Sequence, residues 1–270
     1  MVSLTPALRA EYETLFRTCA IRPERQEEVE TLVNRIYAAY QRYQDIEDRT
    51  GVPWFFVAVV HSLETSLRFD RHLHNGDPLT QRTFHVPAGR PVNGQPPFTW
   101  EESAIDALSL KGLGPQTDWS LAGTMYQLER YNGFGYRLHH PEVKSPYLWA
   151  FSFHYTKGKY VQDGTWSDTA VSKQCGAAVL IRRMGEKNRA ANQMRFTGHP
   201  APANNASPML PRYAKKKPAD AETLRRVLEL QNWLNTFPGV FVKPDGIPGQ
   251  MTSDALRRVT GNYLPGDPRA

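Results

Sequence analysis

An acidic side chain at the end of a long apolar run is the first feature here that could do chemistry. The uncharged segment Trp54-Phe55-Phe56-Val57-Ala58-Val59-Val60 is followed at once by His61-Ser62-Leu63-Glu64-Thr65-Ser66. A carboxyl group at the mouth of a dry core loses hydration, which disfavours its charged form and lifts its pKa towards the range a general acid needs. Cleaving a glycosidic bond requires such a proton donor on the leaving oxygen. A glutamate near a helix end is more often solvated or paired, and Arg68, one turn on, is the obvious partner. A guanidinium there would pull the pKa down and oppose acid catalysis.

A second carboxylate would set the mechanism. An inverting glycosidase separates its two carboxyl groups by roughly 6.5 to 9.5 Å to admit a water, and a retaining one brings them to about 5 Å. Asp77 and Asp70 are the candidates, and hydroxyls on Thr80 and Thr83 could hold the attacking water. Ordinary turn chemistry also accounts for an aspartate in Asn75-Gly76-Asp77-Pro78. If neither aspartate reaches the site, intramolecular attack giving an anhydro-sugar becomes the expected route.

Histidines gather near the same stretch, at His61, His72, His74 and His85. His61 and His74 are candidates to meet substrate. Alternating His72 and His74 with Asp77 would also suit zinc, but no His-Glu-x-x-His spacing is present, so the expectation is no metal and no cofactor. Aromatics mixed with glycines and polar groups make Tyr136, Tyr147 and Trp149 candidates for a sugar-binding cleft, which needs flat apolar faces beside hydrogen-bonding edges.

The elements that must position these groups are mostly helical. Periodicity predicts helices over Leu4–Cys19 and Arg25–Thr50, and a buried third running from Gly51-Val52-Pro53 to Ser66. Thr80–Val86 reads as a short strand of a polar hairpin. Further helices are predicted over Trp100–Lys111, Trp119–Tyr131, Pro146–Tyr155 and Ser167–Arg183. The fold class is therefore mainly α, as an α+β helical domain with a small β-hairpin over residues 1–195. A proline-rich linker over 196–219 and a small three-helix module over 220–270 complete the expected organisation.

The buried helix ending in Glu64-Thr65-Ser66, followed by a polar hairpin and more helices, resembles the lysozyme-like superfamily over about residues 25 to 185. The nearest types are goose-type lysozymes and soluble lytic transglycosylases. Leu128-Glu129-Arg130-Tyr131-Asn132-Gly133 is similar to their Tyr-Asn-Gly segment. The resemblance implies that Glu64 protonates the glycosidic oxygen and that Tyr131 and Asn132 face the sugar beside it. In the C-terminal region, Leu230-Gln231-Asn232-Trp233-Leu234-Asn235 and Asp245-Gly246-Ile247-Pro248-Gly249-Gln250-Met251-Thr252 resemble a peptidoglycan-binding module. Within it, Asp245-Gly246 would make a tight turn, Gly249 would permit close backbone approach and Thr252 would cap the last helix.

These readings imply a glycoside hydrolase that cuts β-1,4 bonds of peptidoglycan strands. Chitin or chitosan, lytic transglycosylation, a zinc-dependent amidase and a non-catalytic wall-binding protein remain open as alternatives. A formal charge of +6 over 270 residues favours a polyanionic partner. Peptidoglycan or a related amino-sugar polymer is the expected one, with no nucleic acid, no membrane insertion and a monomeric chain. Met1-Val2-Ser3-Leu4-Thr5-Pro6 lacks the basic and apolar segments of a signal peptide, so action on the wall, in the periplasm or outside the cell, would need another export route. Cys19 and Cys175 are expected to be free, buried thiols.

Overall fold

A computed structural model describes residues 2–162, 164–187, 210–235, 237 and 240–270. The chain divides into two compact units, Met1–Arg183 and Met184–Ala270. The described residues are mainly helical, with one small antiparallel sheet. Of the expected 196–219 linker, residues 196–209 lie outside the described residues. Farther on, Tyr213 and Ala214 donate backbone hydrogen bonds to Pro265 and Pro248, so they pack with the C-terminal unit.

In the first unit α1 (Pro6–Arg17) is capped by the Thr5 hydroxyl, and α2 (Gln26–Ala38) and α3 (Tyr40–Thr50) follow. The single helix expected over Arg25–Thr50 is thus broken at Ala39. The reason is tertiary: Tyr37 and Tyr40, on either side of the break, both pack on Trp54, with ring centroids 6.0 and 4.9 Å away. Gly51 ends α3 in the left-handed conformation, where a Cβ would press on Pro115 at 2.9 Å.

Helix α4 (Trp54–Thr65) is the centre of the unit. Its residues from Trp54 to Leu63 are all buried, as expected for a helix that is apolar on every face. The Glu47 carboxylate accepts the first free N–H, from Trp54, at 3.1 Å. At the other end Ser66 and Leu67 both take positive φ, 55° and 60°. Left-handed geometry at two non-glycine residues is costly and persists only where the surroundings demand it. Here it stops the helix one residue after Glu64, and Arg35 holds the Ser66 carbonyl at 3.1 Å.

Helices α5 (Trp100–Leu110) and α6 (Leu121–Asn132) match the expected positions, α5 with a Thr99/Glu102 capping box. The short α7 (Gly135–His139) and α8 (Pro146–Trp149) follow. Helix α8 ends well before Tyr155. The chain turns at Phe151, φ 74°, so that Ala150 can accept from Gly176 and Ser152 can bridge to Ile21. A side chain at Gly176 would strike the Leu148 carbonyl at 2.3 Å.

The only hairpin among the described residues is β1 (Lys159–Gln162) with β2 (Thr165–Ser167), not Thr80–Val86. Residues 80–97 instead form an irregular loop, because side chains take the hydrogen bonds a ladder would have used. Asp77 accepts from the N–H groups of Phe84 and His85, while Thr83 Oγ1 donates to Pro87 and accepts from Arg90. Pro87, Pro91, Pro96 and Pro97 remove further donors. Helix α9 (Ala177–Glu186) begins ten residues later than expected, since Ser167 belongs to β2.

The C-terminal unit shows two helices among its described residues, α10 (Ala221–Leu234) and α11 (Gln250–Thr260), where three were expected. Gln231, 1% exposed, ties them together. Its amide donates to Asp245, Ile247 and Thr252 and accepts from Gly246 N–H. Thr252 therefore serves this network from within the first turn, and Gly249 occupies the cap position instead. Gly246 has φ 77° and a Cβ there would hit Leu224, so the Asp-Gly turn does require glycine.

Replacing Gln231 by leucine keeps the volume but strands several buried polar groups. Chemical denaturation should show the C-terminal unit losing about 2–4 kcal/mol, with the unfolding of the first unit unchanged.

Candidate functional site

Because α4 stops where it does, Glu64 stands in the last turn of the dry helix, half-buried. The Tyr147 hydroxyl of α8 donates to Glu64 Oε1 at 2.8 Å. Burial raises the Glu64 pKa, and the Tyr147 hydrogen bond and the nearby charge of Lys111 oppose that rise without cancelling it. Arg68, which could have quenched this acidity, turns away to Asp70, with Nη2 2.7 Å from Oδ2.

Tyr131 and Lys111 stand near the carboxyl group, and Gln174 closes the helix end beside it. Tyr131 is 8% exposed and sits near enough for the Glu64 charge to help lift its pKa, after burial as the main cause. Lys111 lies 4.6 Å over the Tyr131 ring and donates to the Tyr131 carbonyl at 3.2 Å. The amide of Gln174 reaches back to the Leu63 carbonyl, covering the end of α4.

Beyond Tyr147 opens a cleft of about 490 Å³. Asn132, Tyr136, Tyr147, Tyr160 and Gln174 form much of its wall, with Lys159, Gln162 and Gly164 contributed by the β1–β2 hairpin. Glu64 itself lies one side chain behind this wall, reached through Tyr147. Tyr136 packs edge-on to Tyr160 and Trp166, at 5.3 and 5.8 Å, and its hydroxyl accepts from Tyr160 N–H. Aromatic faces beside amide and hydroxyl edges make this a surface suited to a polar ring-bearing ligand.

The remaining sequence candidates are placed as follows. Asp77 is 4% exposed and holds the 77–90 loop, accepting from Asn75 Nδ2, Phe84 N–H, His85 N–H and His85 Nδ1. Burial by itself would raise its pKa, but the His85 ring and these N–H groups outweigh burial and pull it down to about 2. Asp70 is exposed in its pairs with Arg68 and Arg71. Neither aspartate lines the cleft. Thr83 is enclosed in the same loop and Thr80 is exposed.

His61 is fully buried between Phe69 and Trp100, with Nδ1 2.9 Å from the Tyr43 hydroxyl and Nε2 3.1 Å from the Arg68 carbonyl. Burial depresses its pKa to about 4. His74 contacts Asp106 at 2.7 Å, and burial, as the largest influence, lowers its pKa. Both rings thus brace the fold. Trp149, 2% exposed, is a core residue and not part of the large cleft. No group of three or more potential metal-binding side chains occurs among the described residues.

Sequence reading does not single out Lys111, Tyr160 or Gln174. A hairpin signal was available for Tyr160, since Asp163-Gly164 sits between short runs of alternating character. Nothing local marks Lys111 or Gln174, which reach the site only through the folding of distant segments. Comparison with known proteins finds no matching family, no curated relative and no matching solved structure.

Removing the Asp77 carboxylate by Asp77→Ala should destabilise the first unit by about 2 kcal/mol. Its folded pKa lies below the ordinary 3.8, so its stabilisation is present above that pH and is lost as pH falls towards about 2. Unfolding midpoints measured between these limits should fall less steeply for the variant than for the parent chain.

Proposed function

We propose that this chain is a lysozyme-like glycoside hydrolase acting on the β-1,4-linked glycan of peptidoglycan, with Glu64 as general acid. The observation that carries the reading is the half-buried Glu64 carboxyl, raised in pKa and joined through the Tyr147 hydroxyl to an aromatic cleft. A sugar that reaches past the Tyr147 hydroxyl receives the proton of Glu64 on its glycosidic oxygen as the bond to the anomeric carbon breaks. Tyr147 and Tyr131 limit hydration around the acid, while Lys111 moderates the rise in its pKa. Tyr136, Tyr160 and Asn132 offer ring faces and hydrogen bonds to the sugars. The net charge of +6 suits an anionic wall polymer. The Gln231-centred unit is assigned to holding the chain on the wall.

The engagement of Asp77 and Asp70 elsewhere favours a second form of the reaction, in which a sugar substituent of the substrate replaces water as nucleophile and an anhydro end results. The first reading requires a water-activating group on the opposite sugar face.

Digestion of purified peptidoglycan, with products identified by mass, tests the proposal. Glu64→Gln should lower the rate by about 10² to 10⁴. Reducing muramic ends support hydrolysis, anhydro ends support the intramolecular route, and released peptides or a fully active variant sink both. Activity should fall as pH rises through the Glu64 pKa, because the acid must carry its proton. Tyr147→Phe removes a hydrogen bond that stabilises the carboxylate, so the alkaline limb of the pH–rate profile should move to higher pH.

A further inference from the structure

A second cavity, of about 200 Å³, is built on the same two segments as the large cleft. Where Tyr136, Pro146 and Tyr147 line the cleft, their neighbours Arg137, Ser145 and Trp149 line the smaller cavity, together with Glu11 of α1, Glu129 of α6 and Lys144. Arg137 bridges the two acids, with Nη1 3.1 Å from Glu11 and Nη2 2.9 Å from Glu129, and Lys144 adds a contact to Glu11 at 2.9 Å. Two cations and two carboxylates leave the cavity with no net charge. A simple anion there would meet Glu11, and a simple cation would meet Lys144 and Arg137.

Unmet hydrogen-bonding capacity remains on both sides. Lys144 uses one of its three N–H donors on the described protein, and the two Glu11 oxygens each accept one hydrogen bond. Ser145 is only 5% exposed, lines the cavity, and its Oγ has no partner among the described residues. A buried hydroxyl left unpaired is costly, and a ligand oxygen would supply what the fold does not. Trp149, Val143 and Pro141 add apolar atoms to the lining.

We propose that this cavity binds the zwitterionic head of an α-amino acid, its carboxylate on Lys144 and Ser145 Oγ and its ammonium on Glu11. The side chain lies along Trp149. The proposal does not depend on Glu64 or on glycan cleavage. Its source is either a free amino acid or the exposed amino-acid end of a longer molecule.

Calorimetric titration of the full chain with alanine, Nε-acetyl-lysine, acetate and ethylammonium separates the possibilities. Saturable binding of at least one of the two amino acids is expected, with acetate and ethylammonium weaker by about tenfold or more, since each can make only half of the contacts. Tighter binding of alanine identifies a free amino acid, and tighter binding of Nε-acetyl-lysine identifies a tethered end. Lys144→Met should weaken binding about tenfold, and Ser145→Ala should weaken it while leaving the thermal midpoint of the free chain the same or higher, since it removes an unpaired buried hydroxyl. Glu64→Gln should bind as the parent does, so this result and the fate of the proposed acid are read separately. Acetate binding as tightly as alanine, no binding of either amino acid, or full affinity in Lys144→Met would overturn the proposal.

Discussion

A helix that is apolar on all sides can carry an ionisable group into the core only with partners, as α4 does at His61 between Tyr43 and the Arg68 carbonyl, and a carboxyl group without a cation belongs at its end. In α4 this constraint falls on Glu64. The two left-handed residues that stop the helix, the Arg35 contact to Ser66 and the Gln174 contact to Leu63 all serve the same boundary. The Asn75-Gly76 turn also comes close, since a Cβ at Gly76 would lie 3.8 Å from the Glu64 carbonyl. The result is a carboxyl group whose poor hydration raises its pKa, held by one phenol and in no ion pair among the described residues. A guanidinium in place of the Tyr147 hydroxyl would give an ion pair and no acid.

The polar stretch after α4 is an internal scaffold. His72 contacts the Ser103 hydroxyl and the Gln81 carbonyl at 2.9 and 2.8 Å, and His74 meets Asp106, which also binds Arg90. Together with Asp77 these groups organise a loop that has no sheet to support it. Histidines and aspartates close together in sequence here mark a stretch where side chains replace the backbone ladder. Each buried polar group here needs its partner, so the loop is specified by pairing and not by periodicity.

Behind the large cleft, α1, α6 and α7 are locked by charge. Glu129, 3% exposed, receives the Tyr12 hydroxyl at 2.5 Å and two nitrogens of Arg137, while Arg137 also reaches Glu11. Removing either Glu129 or Arg137 would leave the other charge buried and alone, so the network acts as a unit. It fixes α7, and thereby Tyr136, in the cleft wall. The two cavities share one set of backbone segments, and the alternation of side chains along 135–149 decides which faces each.

Much of this was legible from residue order alone. The apolar run to Val60 determined a buried helix and placed Glu64 at its end, and the spacing of apolar residues determined α1, α5 and α6, because periodicity reports which face of a helix must leave water. The break at Ala39, the early end of α8 and the absence of a strand at Thr80–Val86 were decided by contacts with Trp54, Gly176 and Asp77, which local pattern does not record. The acid's partner was likewise beyond reach of local reading: Tyr147 lies 83 positions from Glu64. Arg68 was the nearer cation in sequence, but the reversal of the chain after Ser66 gave it to Asp70. A pKa depends on what surrounds a group in space, and only the folded chain supplies those surroundings.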